Sequence, residues 1–221
     1  MSNGLKVSEI YNEKPEMVSS DCLIVGVYQG EEKDLNIFRF LDPSTLKHFS
    51  RLIRESEISG SSEISTMVYT LGHAVPTRIL FAGLGLKSLL GPDGLRNIMA
   101  KCFRKCRELK LKKISIDLDS FCSESIGPLE TAECLTSSAI MGLYVYDDFK
   151  TDKLTGFPED IRLVCSGQFP MEKAFGDAIR KGNIIADSVN LARDLANAPA
   201  NYMTPTKLSE VALQLAERSE E

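Results

Sequence analysis

The sequence predicts an α/β fold: a mixed, mostly parallel sheet flanked by helices, followed by a long linker helix. Three observations predict it. Strand-like and helix-like segments alternate along the chain, the order that builds a parallel or mixed sheet with helices on both faces. Residues 21–29, "DCLIVGVYQ", form an apolar, β-branched run of the kind buried on both faces of a sheet. Several helical patterns open on a proline, which suits the first helical position because its missing N–H has no partner there anyway.

The elements follow in order. Residues 5–10 read as a weak strand, and 21–29, closed by Gly30, as a strong one. In residues 42–56, Asp42 can cap a helix and Pro43 can start it. Leu46, Phe49 and Ile53 then recur at helical spacing. Strands follow at 64–72, "ISTMVYTLG", and 77–85, "TRILFAGLG". Residues 91–110 open on Pro92 and Asp93 and set Leu95, Ile98, Met99, Cys102, Phe103 and Cys106 on one face, an amphipathic helix. A strand at 112–120 precedes a helix at 128–145, with Ala132, Leu135, Ala139, Ile140 and Leu143 inward. The last strand lies at 160–167.

A long helix spans residues 172–197. Its apolar stripe is Phe175, Ala178, Ile179, Ile185, Val189, Ala192 and Ala196, and Gly176 and Gly182 weaken it. Pro199 ends it. Thr204 caps a further helix beginning at Pro205, whose Leu208, Val211, Ala212 and Leu215 need a partner surface. The expected domains are therefore 1–167, the layered α/β domain; 168–198, the linker helix; and 199–221, the start of something further.

Composition bounds the function. The chain has 221 residues, 43% hydrophobic and 26% charged, enough for a sizeable core. A net charge of -5 disfavours nucleic acid and anionic membrane as partners. No apolar run reaches membrane-spanning length, and the opening residues lack a signal-peptide pattern. A cytoplasmic protein is expected. The 6 cysteines are scattered without a C-x-x-C pair, which suits free thiols in a reducing compartment.

Each motif with chemical promise has a plainer reading. Gly83, Gly85, Gly91 and Gly94 lie between a strand and a helix, where backbone amides can cradle phosphate. Ser88 stands where the dinucleotide fingerprint needs its last glycine, so a tight turn is the better account. Residues 101–113 are rich in Lys and Arg, a nucleic-acid footprint or a solvated helix face. Cys102 and Cys106 share a helix face, but no histidine cluster joins them to make a zinc site. Asp117 and Asp119 end a strand, where ligands often bind; turn and cap roles suit them better, as they do Asp147 and Asp148. No G-x-S-x-G elbow or H-E-x-x-H pair occurs. The expected catalytic, cofactor-binding and metal-binding residues of this chain are none.

One stretch is more specific. Residues 190–205, "NLARDLANAPANYMTP", resemble the junction segment of the leucyl (cytosol) aminopeptidase family in Ala192, Arg193, Asp194, Leu195, Asn197, Pro199, Asn201, Thr204 and Pro205. Ala196 and Ala198 stand where many members carry valine and threonine. "FAGLGLKS" resembles the family's glycine–leucine–glycine turn, and residues 142–153, "GLYVYDDFKTDK", its glycine–tyrosine–aromatic–lysine segment. With element order, the resemblance covers the whole chain, thinly before Ile79.

The resemblance implies an amino-terminal domain similar to the macro-domain fold, a linking helix and a separate catalytic domain. That domain would bind two divalent metals, zinc or manganese, and hydrolyse amino-terminal residues from peptides within a hexamer. Its ligands would be a lysine, aspartates and a glutamate from an asparagine–threonine–aspartate–alanine–glutamate–glycine–arginine segment, which this sequence lacks. The chain is thus expected to stop short of its catalytic domain, to be inactive alone, and to hold no cofactor. Two alternatives are a stand-alone macro-like module gripping a phosphate-bearing ligand and a nucleic-acid contact through residues 101–113.

Overall fold

The computed structural model describes residues 5–11, 13–35, 43–166 and 172–219. Within them the elements are β1 (Lys6–Tyr11), β2 (Cys22–Tyr28), α1 (Pro43–Arg54), β3 (Ser65–Tyr69), β4 (Arg78–Gly85), α2 (Pro92–Glu108), β5 (Lys113–Asp117), α3 (Pro128–Gly142), β6 (Asp160–Cys165), α4 (Glu172–Asn197) and α5 (Pro205–Ser219). Short 3-10 turns occupy Pro15–Met17 and Leu118–Phe121. The alternation read from the sequence is the alternation observed. Asp42 and Gly167 lie outside the described residues.

The sheet has 6 strands in the order β1-β6-β5-β2-β4-β3. All neighbours are parallel except β3, which runs antiparallel to β4 at one edge. β2 sits inside, bonded to β4 and β5, and every one of its residues is buried. Its alternate side chains feed two cores. Leu23, Val25 and Val27 meet Phe49 of α1 with Ile79 and Phe81. Ile24 meets Leu80, Met99, Phe103 and Ile116 under α2 and α3. Each such side chain removed from water contributes roughly 1.5–3 kcal/mol, so the double-sided strand is the thermodynamic centre of the domain.

Helix α2 follows its sequence closely. Pro92 starts it, Asp93 complements the positive helix end, and Leu95, Ile98, Met99, Cys102, Phe103 and Cys106 are all buried. The inward residues read for α3 are buried too. Two stripes differ. In α1, Phe49 is buried but Leu46 is 37% exposed, because the helix rests on the sheet along a narrower line. In α4, Phe175 and Ile179 are buried as expected, but Ala192 and Ala196 are exposed, and the contact face continues through Gly182 and Ala186 instead. The cause is Gly182: a side chain there would sit 2.8 Å from the Glu133 carbonyl and 2.9 Å from Thr136 Cβ. That close crossing fixes the phase of α4 on α3, which is its main partner.

Candidate functional site

The glycine turn is a seam of backbone. Gly83 N–H donates to the Ile64 carbonyl at 3.0 Å and Gly85 N–H to the Gly60 carbonyl at 2.6 Å. The Gly85 carbonyl in turn accepts Gln29 N–H at 2.9 Å. A Cβ on Gly83 would lie 1.9 Å from the Ser61 carbonyl oxygen, and Gly85 has φ +77, the region glycine alone enters freely. The amides of Gly83 and Gly85 that would cradle a phosphate already have protein partners. Asp93 places a negative charge in the first turn of α2, so that helix end does not favour an anion either.

The carboxyl ends of β2 and β5 are where an open α/β sheet often binds ligands. Here the 3-10 turn Leu118–Phe121 occupies that place. Ser120 Oγ accepts Gly26 N–H at 2.8 Å and donates to the Asp117 carbonyl at 2.6 Å, and Tyr28 Oη donates to the Phe121 carbonyl at 2.9 Å. Asp119 has the turn role its position suggested: it accepts Ser166 N–H at 3.1 Å and the Ser166 hydroxyl. Asp117 is buried, and burial pushes its carboxyl up to about 7, with Asp119 and Glu16 adding to the rise. Asp147 also does turn work, accepting Leu154 N–H at 3.1 Å.

The cysteine pair and part of the basic stretch have structural roles. Burial pushes the Cys102 thiol up to about 12, and the Cys22 thiol and burial push Cys106 well above the usual thiol range. Both therefore stay protonated, unlike metal-binding thiolates. Among the described residues no three His, Cys, Asp or Glu form a metal-binding group, and no helix is long and apolar enough to cross a membrane. In the basic stretch, Lys105 Nζ donates to the Ser65 carbonyl at 2.6 Å, Arg107 lies 5.7 Å from the Phe157 ring centre, and Lys112 pairs with Glu159 at 2.6 Å.

The stretch resembling the family's junction segment and the stretch 142–153 meet in space. Helix α3 ends with carbonyls that have no partner in their own helix. Arg193 Nη1 donates to the Met141 carbonyl at 2.9 Å, and Asn190 Nδ2 to that of Ile140 at 3.4 Å. A cation there also complements the negative end of the α3 dipole. The Arg193 guanidinium lies 5.4 Å from the Tyr144 ring centre. Tyr144 Oη donates to Asp194 Oδ1 at 2.8 Å and accepts from Asn197 Nδ2 at 3.3 Å. Beyond α4, Tyr202 packs edge-on against Phe149 at 5.1 Å. Then Thr204 Oγ1 accepts Lys207 N–H at 3.3 Å, the cap expected at the start of α5. The second half of α4 is polar inward because it meets carbonyl ends rather than apolar side chains.

The family model described as the N-terminal domain of the cytosol aminopeptidase family matches residues 24–153. That is more than half of the chain. This chain belongs to the cytosol aminopeptidase family. The match runs from β2 to the segment holding Tyr144 and Phe149, so that aminopeptidase domain includes one side of the junction. A solved mutant of tomato leucine aminopeptidase aligns with a TM-score of 0.72 and 21% identity, over 99% of this chain and 43% of that one. The bottromycin maturation enzyme BotP aligns with a TM-score of 0.67 and 20% identity, over 91% of this chain and 38% of that one. Its complex with Mn gives 0.67 and 19%, over 91% and 37%. At such identities the likeness concerns the fold. This chain spans less than half the length of each.

Sequence reasoning named Arg193, Asp194 and Asn197 as a family pattern without giving them work. Tyr144, the residue they gather around, stood only within the stretch 142–153 likened to another family segment, with no link to them. The available signal was phase: Asn190 and Arg193 continue the face of Gly182 and Ala186, so polar groups there needed polar partners.

Proposed function

We propose that this chain is the non-catalytic amino-terminal part of a two-metal leucyl aminopeptidase, cytoplasmic and hexameric, which removes amino-terminal residues from peptides. The observation that carries the reading is the family match over residues 24–153 in a chain spanning less than half of similar solved enzymes. In this reading residues 1–167 are the domain, 168–198 the linker and 199–221 the start of the catalytic part. The junction around Tyr144 sets the direction in which the chain leaves the domain. Helix α5, with Leu208 50%, Leu213 64% and Leu215 44% exposed, packs on the catalytic part.

Among the described residues, the paired carboxylates Asp117 and Asp119 do not fit a metal pair. Asp117 is buried and keeps its proton to about pH 7, and Asp119 is engaged by Ser166. A two-metal site needs ionised oxygen ligands that bridge or flank both ions. The purified chain is accordingly expected to show no turnover of leucyl p-nitroanilide with added Mn²⁺ or Zn²⁺. Metal-dependent turnover would overturn the reading. The intact mass of the product of the native gene tests the other half: a mass well above 24.4 kDa is expected, and one equal to it would count against a missing catalytic part.

A further inference from the structure

Beside the glycine turn, at the carboxyl ends of β2 and β4, lies an open trough of about 510 Å³. Small-molecule sites fall in the range of roughly 300–1,000 Å³. One wall is the α2 face carrying Asn97, Ile98 and Lys101, and residues 61–63 line it from across, ending in Glu63. Leu86 and Leu89 add apolar surface, 48% and 78% exposed.

Among the described residues, the charges in this trough are uncommitted. Among the described residues neither Lys101 nor Glu63 has an ion pair or side-chain hydrogen bond, and the Asn97 amide has none either. Three other cations nearby are engaged: Lys87 with Glu31, Arg96 with Asp93, and Lys105 with the Ser65 carbonyl. A free cation, a free anion and an apolar surface in one cleft match a small zwitterion with an aliphatic side chain. They do not match a phosphate, which Glu63 would repel and for which Gly83 and Gly85 have no amide to offer.

We propose that this trough binds an α-amino acid or dipeptide with aliphatic side chains. Its carboxylate pairs with Lys101, its ammonium with Glu63, and its side chain lies on Leu86 and Leu89. This inference stands on the trough alone and is independent of the proposed function. The test is titration of the 221-residue chain with L-leucine and with L-leucyl-L-leucine, followed by amide shifts. Saturable shifts at Leu86, Asn97 and Lys101 are expected, and the tighter of the two tells amino acid from dipeptide. Leucinamide lacks the carboxylate and 4-methylpentanoate the ammonium; each is expected to bind about fivefold more weakly, the scale of one exposed ion pair. Lys101→Met weakens L-leucine to the level of leucinamide and leaves leucinamide unchanged. Glu63→Gln does the same with respect to 4-methylpentanoate. Both side chains are exposed, so folding is not at issue. No saturable shift with either ligand up to about 10 mM, beyond the weak end of specific binding, overturns the proposal. So does binding that is indifferent to both substitutions, or equal shifts with inorganic phosphate.

Discussion

The glycine turn after β4 and the last turns of α4 both tie segments of the chain together, and they do so with opposite materials. At Gly83 and Gly85 the contact is backbone on backbone, close enough at Gly83 to exclude a side chain, while Gly85 is set by its positive φ. At the junction it is side chain on backbone and side chain on side chain, through Asn190, Arg193, Asp194, Asn197 and Tyr144. A backbone seam has no adjustable part, so it should fail as a whole. A side-chain network is divisible and partly wetted, so it should fail by degrees and stay local.

The largest effect is therefore expected at Gly83. Gly83→Ala places a methyl 1.9 Å from the Ser61 carbonyl oxygen, and neither strand nor segment can move without breaking the Gly85–Gly60 bond beside it. A loss above about 4 kcal/mol, or no folded protein, is expected, the mark of overpacking against backbone. Gly91, with nothing within 4 Å, is the control: Gly91→Ala should cost about 1 kcal/mol or less. Urea unfolding reads both, and similar midpoints for the two variants would break the comparison.

Asp117 sharpens it on the seam side, because its turn plugs the ends of β2 and β5. Its folded-state value, about 7, lies above the usual 3.8, so the native state holds a proton that the unfolded chain releases. Its contribution is complete below about pH 4 and declines as pH rises to about 7. Asp117→Asn keeps the neutral form. The variant should match the wild type at pH 4 and exceed it at pH 8 by on the order of a few kcal/mol. A wild-type-minus-variant difference that does not change with pH would remove the buried-proton account.

Arg193 is the next step down. Arg193→Ala uncaps Met141 and strips the Tyr144 ring of its cation, for a cost of about 1–3 kcal/mol. Hydrogen exchange should quicken in the second half of α4 and at the end of α3 while β2 and β4 stay protected. Arg193→Lys should recover only part of this, because an ammonium cannot both stack on the ring and reach the carbonyl as a planar guanidinium does. Loosening of β2 to the same extent would show that the junction is not local.

How far these features were legible follows from the range of the contacts. Helix α2 was readable to the residue because its six inward side chains repeat with the helix period. The sheet order was not, since β6 slots between β1 and β5, and its pairing with β1 spans most of the chain. Helix α4 was readable in extent and in phase at Phe175 and Ile179 but not in its second half, because Gly182 rather than a large residue marks its contact line there. The pattern of Arg193 and Asp194 stood out as a family likeness, while its partner Tyr144 is about 50 positions away. Likewise Gly83 announces a close approach, but nothing local names Ser61 as what approaches. The trough between residues 61–63 and α2 was invisible for the same reason.

The smallest effect belongs to the Tyr144 hydroxyl. It links Asp194 to Asn197 by one bond given and one received, at a half-buried position where water can replace either. Tyr144→Phe should cost only about 1 kcal/mol. The informative quantity is the coupling between Tyr144→Phe and Asp194→Asn in a double-mutant cycle, expected at about 0.5–1 kcal/mol. Combining Tyr144→Phe with Gly91→Ala should give additive losses, since the two sites share no partner. A coupling near zero within the junction would mean that water fills in for each member separately. The helix would then be held by Arg193 and the glycine crossing alone, and the polar face of α4 would be a row of independent contacts rather than a network.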